Sequence, residues 1–157
     1  MKPRAAVVVL VVLALVTTVS GCIGGGILTP KTWTVSANHY ELREVIRDGY
    51  LEYRPDAGYI WLAINVTLRN NTKAERGLNW FMDAFELVSS TSNSYTTQLN
   101  YNSIPGQLPT FYPPGEARTG YIYFHVPLDL NAKAAKLLFR PYQESIITIK
   151  LTDLPQQ

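Results

Sequence analysis

Histidine, cysteine and carboxylate side chains are the groups of this chain that could perform catalysis or bind a metal. The 157 residues include two histidines and one cysteine. His39 and His125 lie far apart in the sequence, and neither has partners at the spacing of a zinc site. The aspartates are scattered and match no calcium-binding loop. The sequence therefore predicts no metal, no cofactor and no enzyme; a hydrolase that uses His125 with Glu116 or Asp129 is the weaker alternative.

The single cysteine, Cys22, follows a basic head and an unbroken apolar run from Ala5 to Val16. This order is typical of a secretory signal, and the run is shorter than the roughly 20 residues that cross a bilayer. The segment Val19-Ser20-Gly21-Cys22 resembles the lipobox of prokaryotic lipoproteins, which implies cleavage before Cys22 and attachment of lipid to its thiol. The alternative is an uncleaved anchor helix that runs on to Leu28. Three glycines after Cys22 oppose that helix and suit a tether.

We therefore expect residues 1–21 to be a signal peptide, 22–30 a lipidated Cys and Gly-rich tether, and 31–152 one extracytoplasmic domain at the cell membrane. The whole chain has 14 basic and 12 acidic residues, a formal net charge of +2. Removal of Lys2 and Arg4 with the signal brings that charge to zero. No basic surface remains to attract nucleic acid, so membrane lipid at Cys22 is the expected partner instead.

Aromatic side chains alternate with others along two segments whose pattern predicts β-strands. Between Tyr59 and Arg69 the even-numbered positions are aliphatic and the odd-numbered ones are mostly polar or aromatic, which is typical of a strand with one buried face. The segment from Arg118 to Val126 repeats the alternation. If these strands are antiparallel neighbours, their outward faces bring together one aromatic group, consisting of Tyr59, Trp61, Tyr121, Tyr123 and His125. If this surface is exposed, we expect it to bind a carbohydrate or a protein. The alternative is that the first strand or the Pro-rich loop covers these residues as ordinary cross-strand pairs, and the frequency of aromatic residues on strands favours that alternative.

Further short alternating segments, separated by turn residues, predict about seven to nine strands in all. They include a first strand over Lys31–Ala37, a weaker strand over Tyr40–Ile46 and a hairpin at Asp48-Gly49. Later strands are predicted at Phe85–Val88, Tyr95–Leu99, Lys136–Phe139 and Ser145–Leu151. No helical crossover separates them, so the expected fold is all-β, an immunoglobulin-like antiparallel β-sandwich. A Pro- and Gly-rich loop over residues 100–116 contains Phe111 and Tyr112, which we expect to contribute to a partner surface.

Two sequons, Asn65-Val66-Thr67 and Asn70-Asn71-Thr72, match the acceptor pattern for N-glycosylation. Strand parity places Asn65 on the outward face. We therefore expect Asn65 or Asn70 to carry a glycan if the host is an archaeon.

Three segments in a fixed order carry a family resemblance: Val66 to Asn71, Phe85 to Val88, and Pro114 to Phe124. Together they resemble the telokin-like, immunoprotective-antigen-type extracellular domain of many prokaryotic, here archaeal, surface lipoproteins. The resemblance covers roughly Lys31 to Leu151 and implies an immunoglobulin-like sandwich at the cell surface, without catalytic residues. The long Pro-rich loop departs from that family's usual short connection. We expect a membrane-anchored, non-catalytic binding module, or alternatively an accessory subunit of a surface transporter or hydrolase complex that docks through loop 100–116.

Overall fold

The computed structural model of the chain describes residues 32–78, 84–98, 104 and 106–157. The predicted signal peptide, Cys22 and the tether lie outside the described residues. The described part of the chain forms eleven strands, β1 (Trp33–Arg43), β2 (Ile46–Asp48), β3 (Leu51–Tyr53), β4 (Tyr59–Asn70), β5 (Arg76–Gly77), β6 (Ala84–Val88), β7 (Ser94–Gln98), β8 (Phe111–Tyr112), β9 (Ala117–Pro127), β10 (Lys136–Arg140) and β11 (Ile147–Lys150). Two single 3₁₀ turns, Ala132–Ala134 and Leu151–Asp153, complete it.

Seven of these strands form one antiparallel hydrogen-bonded order, β1-β4-β9-β7-β6-β10-β11. β7 connects the two layers of a sandwich, because Thr97 pairs with Phe124 of β9 while Thr96 pairs with Glu86 of β6. One layer holds β1, β4 and β9, and the facing layer holds β6, β10 and β11. The all-β sandwich predicted from the sequence is confirmed.

The main core lies between the two layers. β4 contributes its even-numbered side chains, as the alternation predicts, and β9 contributes its own even-numbered residues from Ile122 to Val126. The facing layer supplies aromatic and aliphatic residues from β6 and β10, among which the rings of Phe85 and Phe139 stack with centroids 4.6 Å apart. The buried face of β4 comprises Leu62, Ile64, Val66 and Leu68. The prediction that the even-numbered side chains of β4 face the core is confirmed.

β1 differs from the prediction because it is one strand rather than two. The two predicted segments join through a β-bulge at Asn38, where the register against β4 shifts between Ala37 and His39. One extra residue on the bulged strand changes which residues face inward. Ala37 therefore packs against the core and so does Tyr40, three positions later. His39 and Arg43 consequently lie on the outer face.

The β2–β3 hairpin covers part of the outer face of β4 and β9. Its turn contains Gly49 at φ +56°, which fits the predicted Asp48-Gly49 turn. Ile46 of β2 packs in a second apolar cluster with Trp61, Ala63, Tyr123 and Ile104. The indole Nε1–H of Trp61 donates to the Tyr53 carbonyl oxygen at 2.9 Å. The hairpin therefore forms a small second core, which we call the outer cluster.

The second half of the Pro-rich loop is bound to the sandwich along the edge of β9. The Leu108 N–H donates to the Tyr121 carbonyl at 2.9 Å, and the Tyr121 N–H donates to the Gly106 carbonyl at 2.7 Å. A methyl group at Gly120 would lie 2.5 Å from the Leu108 backbone. Glycine at position 120 therefore lets the loop approach closely and place Leu108 in the main core.

Candidate functional site

The outer face of β1, β4 and β9 brings the predicted aromatic residues together. The β4–β9 register pairs Trp61 with His125, Ala63 with Tyr123, and Asn65 with Tyr121. This antiparallel pairing is the one that the sequence predicts. Tyr59, at the start of β4, lies opposite Pro127 and beside the His125 ring.

The expected exposure of this aromatic face is wrong for two of its residues. Trp61 is 7% exposed and Tyr123 is 1% exposed. Both pack against Ile46 and Ile104 in the outer cluster, because the β2–β3 hairpin and the loop residue Ile104 cover them. The alternative from the sequence, in which the first strand or the Pro-rich loop covers these residues, is confirmed for Ile104 of the loop, and the β2–β3 hairpin adds a cover that the sequence did not predict. Trp61 and Tyr123 are therefore buried beneath the outer face and are not available to contact a ligand.

Next to the outer cluster, β1 and β9 form a half-buried polar network. The Arg43 guanidinium donates to Glu41 Oε1 at 2.6 Å and to the Tyr123 hydroxyl at 3.3 Å. It also lies over the Tyr121 ring, 4.5 Å from the centroid. His39 Nε2 shares a 3.0 Å hydrogen bond with the Tyr121 hydroxyl. Arg43 therefore occupies one side of the Tyr121 ring, and that side cannot stack on a ligand.

Hydrogen bonding and burial shift the titration of this network. The hydrogen bond from Arg43 lowers the pKa of the Glu41 carboxyl, although partial burial acts in the opposite direction. Burial raises the pKa values of the Tyr121 and Tyr123 hydroxyls. The carboxylate is therefore held ionised and the phenols are held neutral. The strand pattern does not predict this network, since the bulge at Asn38 is what turns His39, Glu41 and Arg43 outward.

Tyr59 remains accessible, at 41% exposure. Its ring stacks on the His125 imidazole with centroids 4.5 Å apart and planes inclined by 15°. The Trp61 ring also lies beside the His125 ring, with centroids 5.2 Å apart. The Asp56 N–H donates to His125 Nε2 at 3.2 Å, and Asp56 Oδ2 lies 3.8 Å from the same nitrogen. Asp56, rather than Glu116 or Asp129, is thus the carboxylate beside His125, and we call Tyr59, His125 and Asp56 the Tyr59 site.

The Pro-rich loop contains a second candidate surface, and its two aromatic residues behave differently. Phe111 is 62% exposed, as expected. It lines a groove of about 240 Å³ with residues 107–110 and Arg118, which we call the loop groove. Tyr112 is fully buried, so the expectation that it lies on the surface is wrong. Its ring meets Trp33 edge to face at 5.2 Å in the main core, where burial raises its pKa.

The two sequons are in very different surroundings. Asn70 is 0% exposed, and its Nδ2 donates to the carbonyl oxygens of Ala74, Tyr112 and Pro113. Its Oδ1 accepts from Thr72. A glycan on Asn70 is incompatible with this fold. Asn65 lies half-buried on the outer face, where its Oδ1 accepts from Asn38 Nδ2 at 2.7 Å, and its occupancy stays a prediction.

The described ranges, residues 32–78, 84–98, 104 and 106–157, lack the side-chain cluster that a metal site requires and the helix that a helical membrane span requires. They contain no group of three or more histidine, cysteine or carboxylate side chains placed to hold a metal ion. Within the same ranges, no helix has the length and apolar character needed to cross a bilayer.

Solved structures with the same fold come from bacteria. A conserved hypothetical protein of Bacillus anthracis matches with a TM-score of 0.54 at 15% identity, over 78% of this chain and 91% of that one. YcdA of Bacillus subtilis, which is described as a proposed lipoprotein, gives 0.53 at 14% identity over 78% of this chain and 37% of its own. The secreted protein MPT63 of Mycobacterium tuberculosis gives 0.50 at 21% identity, over 75% and 80% respectively. These likenesses show the sandwich fold.

Sequence comparison identifies the family. A comparison with curated proteins finds no match. One family model matches residues 30–145, which include most of the described sandwich. The chain therefore belongs to the DUF4352 family, a domain of unknown function.

Proposed function

We propose that this protein is a non-catalytic binding module, anchored through lipid on Cys22 to the extracytoplasmic face of a prokaryotic membrane. The observation that carries the proposal is the position of the Tyr59 site relative to the point where the N-terminal segment joins the sandwich. That segment joins at Thr32, and the Tyr59 site lies at the opposite end of the same layer.

The distance between these two ends follows from the strands. At Thr32 the carbonyl accepts from the Asn71 N–H at 2.8 Å, and the N–H donates to Glu144 Oε1 at 3.0 Å. β1 then runs eleven residues to Arg43, which pairs with Trp61 near the start of β4. At about 3.3 Å per residue the two ends are roughly 33 Å apart. Tyr59 therefore lies at the end of the layer that is farther from the point where the segment with Cys22 joins the sandwich.

The comparisons support this proposal at the level of location. One protein with this fold is described as a proposed lipoprotein and another as a secreted protein. The resemblance of Val19 to Cys22 to a lipobox supports the anchor, and the family description names no activity. Lipid at Cys22 and binding at the exposed aromatic residues remain our proposals for this chain.

The anchor is tested by intact mass and membrane fractionation of the full chain expressed in a lipoprotein-processing prokaryote. We expect a mature protein that lacks residues 1–21 and carries lipid on Cys22. The Cys22→Ala variant should lose both the lipid mass and the membrane fraction. An intact chain recovered without lipid in the soluble fraction would contradict the proposal. The same mass spectrum shows whether Asn65 carries a glycan.

A second candidate function is an accessory subunit that docks a partner protein through the loop groove. Exposed Phe111 beside that groove favours it. Deletion of the loop would be a poor test, because Leu108 and Tyr112 belong to the main core. We expect Phe111→Ser to abolish co-purification of such a partner, whereas Tyr59→Ala should retain it. Equal retention by both variants would exclude docking through this groove.

A further inference from the structure

We propose that the Tyr59 site binds a neutral saccharide, with Tyr59 as the stacking residue and Asp56 as the acceptor for sugar hydroxyls. This inference rests on the proposed function, because it names the ligand class of the binding module. It goes beyond the family description, which assigns no ligand.

The Tyr59 ring is held in place before any ligand binds. It stacks on His125, whose ring in turn contacts Trp61, and Trp61 is fixed by its hydrogen bond to the Tyr53 carbonyl. By contrast, Tyr50 at the tip of the β2–β3 hairpin is fully exposed. A ring that is already ordered loses little conformational freedom on binding. The outer cluster thus supplies rigidity to an exposed aromatic ring.

A polar group, the Asp56 carboxylate, lies beside the ring. The Asp56 backbone N–H is bonded to His125 Nε2, which places the aspartate next to the stacked rings. Because Nε2 accepts this bond, a neutral His125 carries its proton on Nδ1. The Asp56 side chain is 86% exposed, so its carboxylate oxygens can accept two hydrogen bonds from a ligand. The site combines an aromatic face with a charged acceptor.

These features together fit a sugar. The electron-rich face of an aromatic ring attracts the weakly positive C–H groups on the apolar face of a pyranose. The hydroxyls at the edge of the same sugar can donate to a carboxylate. Exposed Leu128, whose N–H donates to the Gly58 carbonyl at 3.0 Å, adds one apolar neighbour. The apolar surface of one ring and one aliphatic side chain suits a single sugar unit. It is smaller than the roughly 800 Å² that each partner buries in a stable protein interface.

The test is calorimetric titration of the full chain in detergent with neutral oligosaccharides, namely tetramers of β-1,4-linked N-acetylglucosamine, β-1,4-linked glucose and α-linked mannose. We expect at least one tetramer to bind the wild-type protein. Tyr59→Ala should weaken that binding by roughly tenfold or more, and Tyr59→Phe should retain it, because the ring face carries the contact. Asp56→Asn should weaken it by several-fold, and its exposed position leaves the fold intact.

Tyr142→Ala is the matched control, since Tyr142 is an exposed tyrosine in the β10–β11 loop, far from the Tyr59 site. It should bind as the wild type does, and circular dichroism should show each variant folded. The inference is wrong if none of the three tetramers binds, or if both Tyr59→Ala and Asp56→Asn leave the affinity unchanged. Either outcome would refute saccharide binding without refuting the lipid anchor. The anchor is tested separately, by the mass and the membrane fractionation of the wild type and the Cys22→Ala variant.

Discussion

The two faces of β4 and β9 both carry buried side chains, but different elements of the structure cover each face. The inner face packs against β6 and β10, which belong to the same hydrogen-bonded strand order. The outer cluster is covered mainly by the β2–β3 hairpin, a separate two-stranded sheet with three residues in each strand. The inner face therefore determines whether the domain folds. The outer cluster determines how Tyr59 and its neighbours are held.

The sharpest test of this comparison is a cavity in the main core. Phe124 is fully buried between the layers. We expect Phe124→Ala to lower the free energy of unfolding by about 3–5 kcal/mol, because it removes a large ring and leaves a cavity that the two layers can fill only in part. Urea denaturation followed by tryptophan fluorescence measures this loss. A loss below about 1 kcal/mol would mean that the inner face is not the main source of stability.

The close approach of the Pro-rich loop gives the second test. Ala at position 120 would place its Cβ 2.5 Å from backbone atoms of Leu108, and backbone cannot rotate away as a flexible side chain can. We expect Gly120→Ala to cost up to about 3 kcal/mol as the loop moves off β9. Hydrogen exchange should show lost protection at the amides of Leu108 and Tyr121, which bond across this contact. Gly77→Ala serves as the control for those two amides, because an added Cβ at Gly77 meets no atom closer than 3.9 Å and its backbone is not in the left-handed region.

Sequence alternation predicts which face of a strand a residue occupies, but it does not predict what covers that face. The even-numbered residues of β4 are buried as expected, and the pairing of Trp61 with His125 follows from the two strand patterns. The burial of Trp61 and Tyr123 does not follow, because it depends on a hairpin from another part of the chain. Asn70 matches a sequon like Asn65, yet three carbonyl oxygens surround its amide. Gly120 offered one signal, since a glycine within a strand often marks a close backbone approach.

A smaller cavity in the outer cluster provides the third test. Ile46 is buried against Trp61 and Tyr123 by the hairpin that carries it. We expect Ile46→Ala to cost about 2 kcal/mol, near the low end for such a truncation, because the short hairpin can settle into the space. Amide exchange should quicken over β2 and β3 while β10 stays protected, since the hairpin opens on its own. Uniform loss of protection in both regions would show that the two clusters unfold as one unit.

The smallest expected effect on the free energy of unfolding comes from Glu41, which lies beside the outer cluster. A change at Glu41 tests charge rather than packing. The pKa of the Glu41 carboxyl is lowered from its ordinary 4.5, mainly by the hydrogen bond from Arg43. Its ionised form therefore stabilises the fold above about pH 4.5, and that contribution is lost as the pH falls through the lowered pKa. We expect Glu41→Gln to cost about 1 kcal/mol at pH 7, a modest amount because the pair is partly exposed to solvent.

As the pH falls through the lowered pKa of Glu41, the difference between the wild type and Glu41→Gln should shrink toward zero, because the wild-type carboxyl then becomes protonated as well. Urea denaturation without added salt measures this difference in the free energy of unfolding at pH 7 and at one pH below the lowered pKa. Glu52→Gln is the matched control, since Glu52 also pairs with arginines but lies on the exposed hairpin, where solvent screens the charges. If Glu41→Gln has the same cost at both pH values, the network with Arg43, His39 and Tyr121 depends on side-chain shape rather than on the carboxylate charge.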